Sequence, residues 1–201
     1  MAGMMLREGE YQTLLAIVRK GLDDSSRALS SMTTGGIRLQ APRLEFLPLN
    51  VVPGIAGGPE VVVVAVYLGI EGDLNGHLML LFTRDTALRV VDMLLEAPPG
   101  TTATLDEIGV SALAETGNVC GSSFLNALSD RTGLKIVPTT PVVVTDMAGA
   151  ILQSVVTELY LNGDEVLMVE TAFNREMPGH FLLMPDQDSM ARLIAALEVI
   201  G

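Results

Sequence analysis

The chain has 201 residues and a mass of 21.3 kDa; 49% of its residues are hydrophobic but only 4% aromatic, so it can bury a sizeable core built from Val, Leu, Ile, Ala and 11 Met. Lys and Arg total 12 against 24 Asp and Glu, giving a formal charge of −12 and a pI near 4.4, which argues against a nucleic-acid or anionic-membrane surface. A single cysteine, Cys120, excludes an internal disulfide and fits a reducing compartment. The opening MAGMMLREGEYQ lacks the basic-then-apolar pattern of a signal peptide, and the longest apolar run, residues 61–70, is too short to cross a bilayer. A cytoplasmic protein is expected.

Residues 8–32 have helical periodicity, with Tyr11, Leu14, Leu15, Val18, Leu22, Leu29 and Met32 on one face. Gln12, Ala16, Arg19, Lys20, Asp23 and Arg27 form the other. Gly35 and Gly36 end this helix, residues 37–47 alternate as a strand in which Pro42 marks a break or an edge, and residues 51–59 read as a Pro/Gly loop. Two apolar strands, 61–68 and 77–82, form a hairpin through Glu71-Gly72-Asp73 and Asn75-Gly76. Asp85 is placed to cap a short helix, 86–96, and Pro98-Pro99-Gly100 then separates the two halves of the chain.

Residues 104–133 read as one long helix, with Thr104 and Glu107 as a capping box and Gly133 as the stop. At about 100° per residue, Leu113, Ala114, Gly117, Cys120, Gly121, Phe124, Leu125 and Leu128 gather on the side expected to be buried. Ser111, Glu115, Asn118 and Ser122 form an outward stripe, which stacks a carboxylate and an amide one turn apart. Glycine inside a helix costs roughly 1 kcal/mol relative to alanine. Gly117 and Gly121, both on the buried side, therefore imply a backbone pressed close to whatever lies beneath. Ile108, Ala112 and Val119 fall beside the polar stripe and make a candidate docking surface for another protein.

Beyond this helix come a strand region at 134–144, a short segment at 147–160, strands at 165–173 and 179–184, and a last helix opening at Asp188. GHLMLLFTRDTALRVVDML, from Gly76, matches GHFLLMPDQDSMARLIAAL, from Gly179, in apolar pattern, in the Gly-His pair and in the Asp that begins each helix. The match implies an internal duplication, with pseudo-equivalent halves at about 8–97 and 104–200 sharing one core as a single domain. The paired histidines, His77 and His180, read as strand-edge residues, since no zinc-ligand spacing surrounds them. No Gly-rich phosphate loop, G-x-S-x-G or Cys/His pair suggests a conventional enzyme.

Ser111, Glu115 and Asn118, followed after 22 residues by Pro141, resemble the active-site signature of the CheC/CheX/FliY phosphatases, in which Asp or Ser, Glu, Asn and Pro recur at these intervals. ETGNVCGSSFLNALSDRTGL also resembles the second long helix of CheC, and the duplicated layout extends the resemblance over nearly the whole chain. The resemblance implies an α+β fold: a largely antiparallel sheet related by a pseudo-twofold, two long helices side by side on an outer surface and two short helices elsewhere. It implies a phosphatase for the phospho-aspartate of a CheY-type response regulator. Asn118 would hold the attacking water, Glu115 would pair with the regulator's lysine, and Ser111 and Pro141 would support the site. No cofactor of the chain's own is implied, because the Mg²⁺ belongs to the partner regulator. CheD is a second partner that the resemblance admits. The first half carries Gln12, Ala16 and Arg19 where Ser, Glu and Asn would stand, so one working face is expected, on the second helix.

Three other readings remain open at this level. Glu115 and Asn118 also suit a plain solvated helix face. The fold could dock a regulator, CheD or a flagellar-switch component without turnover. A metal-dependent hydrolase could use Glu115 with Asp106 or Asp146.

Overall fold

The computed structural model describes residues 6–159 and 165–200. The first long helix, α1, spans Glu8–Ser31. It buries Leu14, Ile17, Val18, Leu22 and Leu29 but leaves Met32, expected on the same face, exposed beyond its end. Strand β1, Leu39–Pro48, has a register shift between Gln40 and Arg43. Pro42 lies within that interval and has no N–H for the ladder. The stretch expected as a loop instead holds a 3₁₀ turn, Leu49–Val51, and a one-turn helix, α2, Val52–Ile55.

Strands β2, Val62–Gly72, and β3, Gly76–Thr83, form the expected hairpin, with β2 running four residues further than its apolar run suggests. Helix α3, Arg84–Leu94, starts earlier than expected: the Thr83 hydroxyl, not Asp85, accepts from the Thr86 amide. The second half contributes α4, Glu107–Thr132; β4, Ile136–Pro138; β5, Val142–Met147; α5, Ala148–Leu159; β6, Glu165–Phe173; β7, Met177–Pro185; and α6, Gln187–Ile200. The expected segment 147–160 is thus mostly helix, and its last residue, Tyr160, lies outside the described residues. At α6 the carboxylate that receives the Ser189 amide is Asp186 rather than Asp188.

One seven-stranded antiparallel sheet runs β1-β6-β7-β3-β2, with β4 and β5 both paired to β2. Its centre is the β3–β7 pair, where Met79 faces Leu182. These are corresponding positions in the two matched segments, which pair symmetrically about them. Outward from this pair, strands from before and after residue 100 alternate: β1 pairs with β6, and β5 pairs with β2.

Helices cover both faces of the sheet, and this explains the unbroken apolar runs in β2 and β3. A strand buried on both sides has no polar face to show. On one face Val64, Val66, Leu68, Leu78 and Leu80 pack under the long helices; on the other Val63, Ala65, Met79 and Leu81 pack with Val52, Ile151 and Leu152 of α2 and α5. Helices α1 and α4 lie side by side, so close at Gly21 that a Cβ there would stand 2.8 Å from the Phe124 Cα. The short helices α3 and α6 join them on that same face through Val90, Val91, Leu193 and Leu197. Among the described residues no helix is long and apolar enough to cross a membrane.

The Pro98-Pro99-Gly100 linker is held by a buried carboxylate. Asp92, 2% exposed, accepts from the Gly100 amide at 2.6 Å and the Thr102 amide at 2.8 Å. Hydrogen bonding from the Thr102 side chain, opposed by burial and helped by the linker amides, keeps this carboxyl below the usual range. A depressed folded value contributes stability that is present above the unfolded pKa and lost as pH falls through the folded one. Asp92→Asn is therefore expected to lower stability by about 2 kcal/mol at pH 7, roughly 4–8 °C in a chain this size. The gap from wild type should narrow below about pH 4, the unfolded range for aspartate. Thermal unfolding of both proteins at pH 7 and pH 3 checks this.

Candidate functional site

Helix α4 begins later than the capping box at Thr104 suggests. Thr104 lies outside the helix, and Asp106 is the cap, its carboxylate accepting from the Gly109 amide at 2.9 Å. Gly133 ends the helix in the left-handed region, with φ 74°. Between these stops Leu113, Gly117, Cys120, Gly121, Phe124, Leu125 and Leu128 are buried, whereas Ala114 is only half-buried. Burial pushes the Cys120 thiol up to about 12, which suits a small apolar group rather than a nucleophile.

Gly117 explains how the outward stripe is positioned. A Cβ at this residue would stand 2.3 Å from Val66 Cγ1, so the α4 backbone rests directly on β2. At Gly121 a Cβ would meet Leu68 and Leu78 at 3.1 Å. The opposite side of the helix then presents Ser111 and Glu115, both exposed, and the half-buried Asn118. No described residue hydrogen-bonds the Glu115 carboxylate or the Asn118 amide, so both keep their full capacity for an outside partner.

The facing wall comes from the β4–β5 segment. Ile70 pairs with Pro138 and Tyr67 with Val142, so two residues of β2, Leu68 and Gly69, oppose three, Thr139 to Pro141. This is a β-bulge, a device that bends a strand and re-aims its side chains. Pro141, with no N–H, fits a position where the ladder is interrupted. Thr139 ties the bulge down: the Gly69 N–H donates to its Oγ1 at 2.8 Å, and its own N–H donates to the Gly69 carbonyl at 2.9 Å. Together α4 and the bulge enclose an open depression of about 430 Å³, lined by Ser111, Ala114, Glu115, Asn118, Pro138, Thr139, Thr140 and Pro141.

The structure thus brings Ser111, Glu115, Asn118 and Pro141 to one place. It adds Ala114, the neighbour of Glu115 on α4, and Pro138, Thr139 and Thr140, for which the sequence offers only the proximity of Pro141. The candidate docking residues separate. Ile108 is 62% exposed and Ala112 half-buried, but Val119, also half-buried, packs against the main core. Val119→Asp would therefore place a charge against apolar neighbours and is expected to lower the melting temperature. A melting curve within 1 °C or so of wild type would show that the side chain turns outward without cost.

On α1, Gln12, Ala16 and Arg19 are exposed on the outer face, the position equivalent to the stripe on α4. Gln12 is engaged by Glu8 through a 2.7 Å hydrogen bond. Among the described residues no group of three or more His, Cys, Asp or Glu could hold a metal ion, and Asp106 is already committed to the helix cap. His77 stacks on Tyr67 with ring centroids 4.8 Å apart; burial lowers the proton affinity of His180, with Glu170 acting in the opposite sense. Neither histidine lines the depression.

Comparison with known proteins bears on the same region. The CheC-like family matches residues 108–145, which run from the first turn of α4 through the bulge into β5. Over 199 residues, 96% of this chain and 95% of the other, the chain is 29% identical to the CheY-P phosphatase CheC of Bacillus subtilis. Its fold is similar to that of Thermotoga maritima FliY, with a TM-score of 0.77 at 18% identity over 98% of this chain and all of the other. It is also similar to the CheX–CheY–BeF₃–Mg²⁺ complex structure from Borrelia burgdorferi, with a TM-score of 0.55 at 19% identity over 85% of this chain and 98% of that one.

Proposed function

Because the chain belongs to the CheC/CheX/FliY family, we propose that it hydrolyses the phospho-aspartate of a CheY-type response regulator, working through the single face on α4. The observation that carries this reading is the pairing of two unengaged side chains, Glu115 and Asn118, over a depression whose other wall is Pro141 and its bulge. An amide and a carboxylate held one turn apart suit a protein that enters another protein's active site. They do not by themselves make a hydrolytic centre.

The regulator already holds its acyl phosphate, and its own Mg²⁺ offsets charge on the phosphoryl oxygens. What remains to be supplied is a water in line with phosphorus. Asn118 can donate to and accept from that water, and it does not titrate near neutral pH. The water oxygen bonds to phosphorus as the phosphorus bond to the aspartate oxygen breaks, leaving inorganic phosphate and a free carboxylate. Glu115 pairs with the regulator's active-site lysine and fixes the docked geometry. Ser111 lies one turn before it, and Pro141 holds the opposite wall. The exposed Ile108 extends the contact along α4, with Ala112 beside it.

No metal or cofactor of the chain's own enters this scheme. The outer face of α1, with Gln12, Ala16 and Arg19, lacks both the carboxylate and the amide and is assigned no turnover. It is left for another contact, for which the family resemblance offers CheD. Phosphate release from a phosphorylated regulator, compared for the regulator alone, with wild-type protein and with Asn118→Ala at equal concentration, tests the proposal. If the wild type does not exceed the variant, the catalytic claim falls and docking without turnover replaces it.

A further inference from the structure

The loop wall of the depression has few ways to be held. Pro138 and Pro141 bring no N–H, so the segment between them can reach the sheet with backbone donors only from Thr139 and Thr140. Thr139 supplies the attachment in both directions, giving its amide to the Gly69 carbonyl at 2.9 Å and receiving the Gly69 amide on its hydroxyl at 2.8 Å. The hydroxyl thereby replaces the ladder bond that the bulge removes. Gly69 makes room for it, since a Cβ there would lie 3.0 Å from Thr139 Cγ2 and 3.1 Å from its Oγ1.

We infer that Thr139 is a positioning residue of this site: by pinning residues 139–141 to Gly69 it sets how far the bulge wall stands from the Asn118 amide across the depression. The inference rests on the phosphatase reading above. The two walls come from separate elements, α4 and the β4–β5 segment, and both are fastened to β2, one by Gly117 on Val66 and the other by Thr139 on Gly69. Strand β2 is the common base, so slack in either fastening changes the gap between the walls. A water held for in-line attack is sensitive to that gap, because displacements of about 1 Å can cost as much as 100-fold in rate.

Three variants, assayed for phosphate release from a phosphorylated regulator well below their melting temperatures, test this. Thr139→Val keeps the shape and the amide but loses the acceptor; it should lower kcat about 5- to 10-fold with little change in KM. Thr139→Ser keeps both bonds and should stay within about twofold of wild type. Gly69→Ala leaves the hydroxyl intact but pushes the bulge from below, and should reproduce the fall in kcat even if Thr139→Val folds poorly. A Thr139→Val kcat equal to wild type, a Thr139→Ser enzyme as impaired as Thr139→Val, or a fully active Gly69→Ala overturns the inference and leaves the phosphatase reading standing. A wild-type protein with no phosphate release overturns both.

Discussion

Asn118→Ala is expected to cut the accelerated phosphate release by about 100-fold, the scale on which removing one well-placed polar group from a reaction centre is felt. The amide is only half-buried, receives no hydrogen bond from and gives none to a described residue, and lies on the outer side of α4, so its loss should leave the melting temperature nearly unchanged. Alanine is also the better helix former, by a few tenths of a kcal/mol. Affinity for a regulator carrying a phosphoryl mimic should fall far less than turnover, because Glu115 and Ile108 would still make their contacts. The split between turnover and affinity is the informative part. A variant that lost binding and rate in equal measure would mean that Asn118 serves docking and that the water is held by another group. The measurement pairs a phosphate-release assay with a binding titration of the same two proteins.

Gly117→Val should be the most damaging single substitution in α4. Alanine at this position already sets two effects against each other: a helix-propensity gain of about 1 kcal/mol and a Cβ placed 2.3 Å from Val66 Cγ1 and 3.0 Å from its Cβ. Val66 is a buried, β-branched residue of a strand paired on both sides, so its side chain has little freedom to give way. The helix must rise instead. Valine adds two methyl groups and forfeits the propensity gain, and overpacking of this kind costs about 3 kcal/mol, roughly 6–12 °C here. Any protein that still folds should also be slow, since Asn118 is the next residue and rides on the same turn. Thermal unfolding measures the first effect, and phosphate release at a temperature where both proteins are folded measures the second. An unperturbed melting curve would mean that α4 does not rest on Val66 at this glycine.

The stripe on α4 was legible because a helix repeats every 3.6 residues, so spacings of four, three and four can only mean one face. The strands of the two hairpins were legible for the opposite reason: apolar residues of β2 and β3 run without interruption because helices cover both sides. What could not be read depends on partners far away in the chain. Thr139 looks like an ordinary loop residue until Gly69, 70 positions earlier, is brought beside it. Val119 sits at the boundary of the wheel, and only the packing of the whole cluster decides that it is partly buried against the core. At helix starts the period identifies the helix but not which neighbouring polar residue caps it, so Asp106, Thr83 and Asp186 replaced Thr104, Asp85 and Asp188. Helix α5 was missed as a helix because its short apolar segment shows too few turns for a clear repeat.

The crossing of β1 and β5 into the opposite half has a consequence for how the chain reaches this state. Neither the first hundred residues nor the last can complete a sheet unaided: each would expose a strand flank that its own segment cannot cover. Native pairing must await the synthesis of β6 and β7, so the molecule is expected to assemble late, slowly and in a single cooperative event. Severed at the proline-rich joint, its pieces should be sticky apart and complementary together.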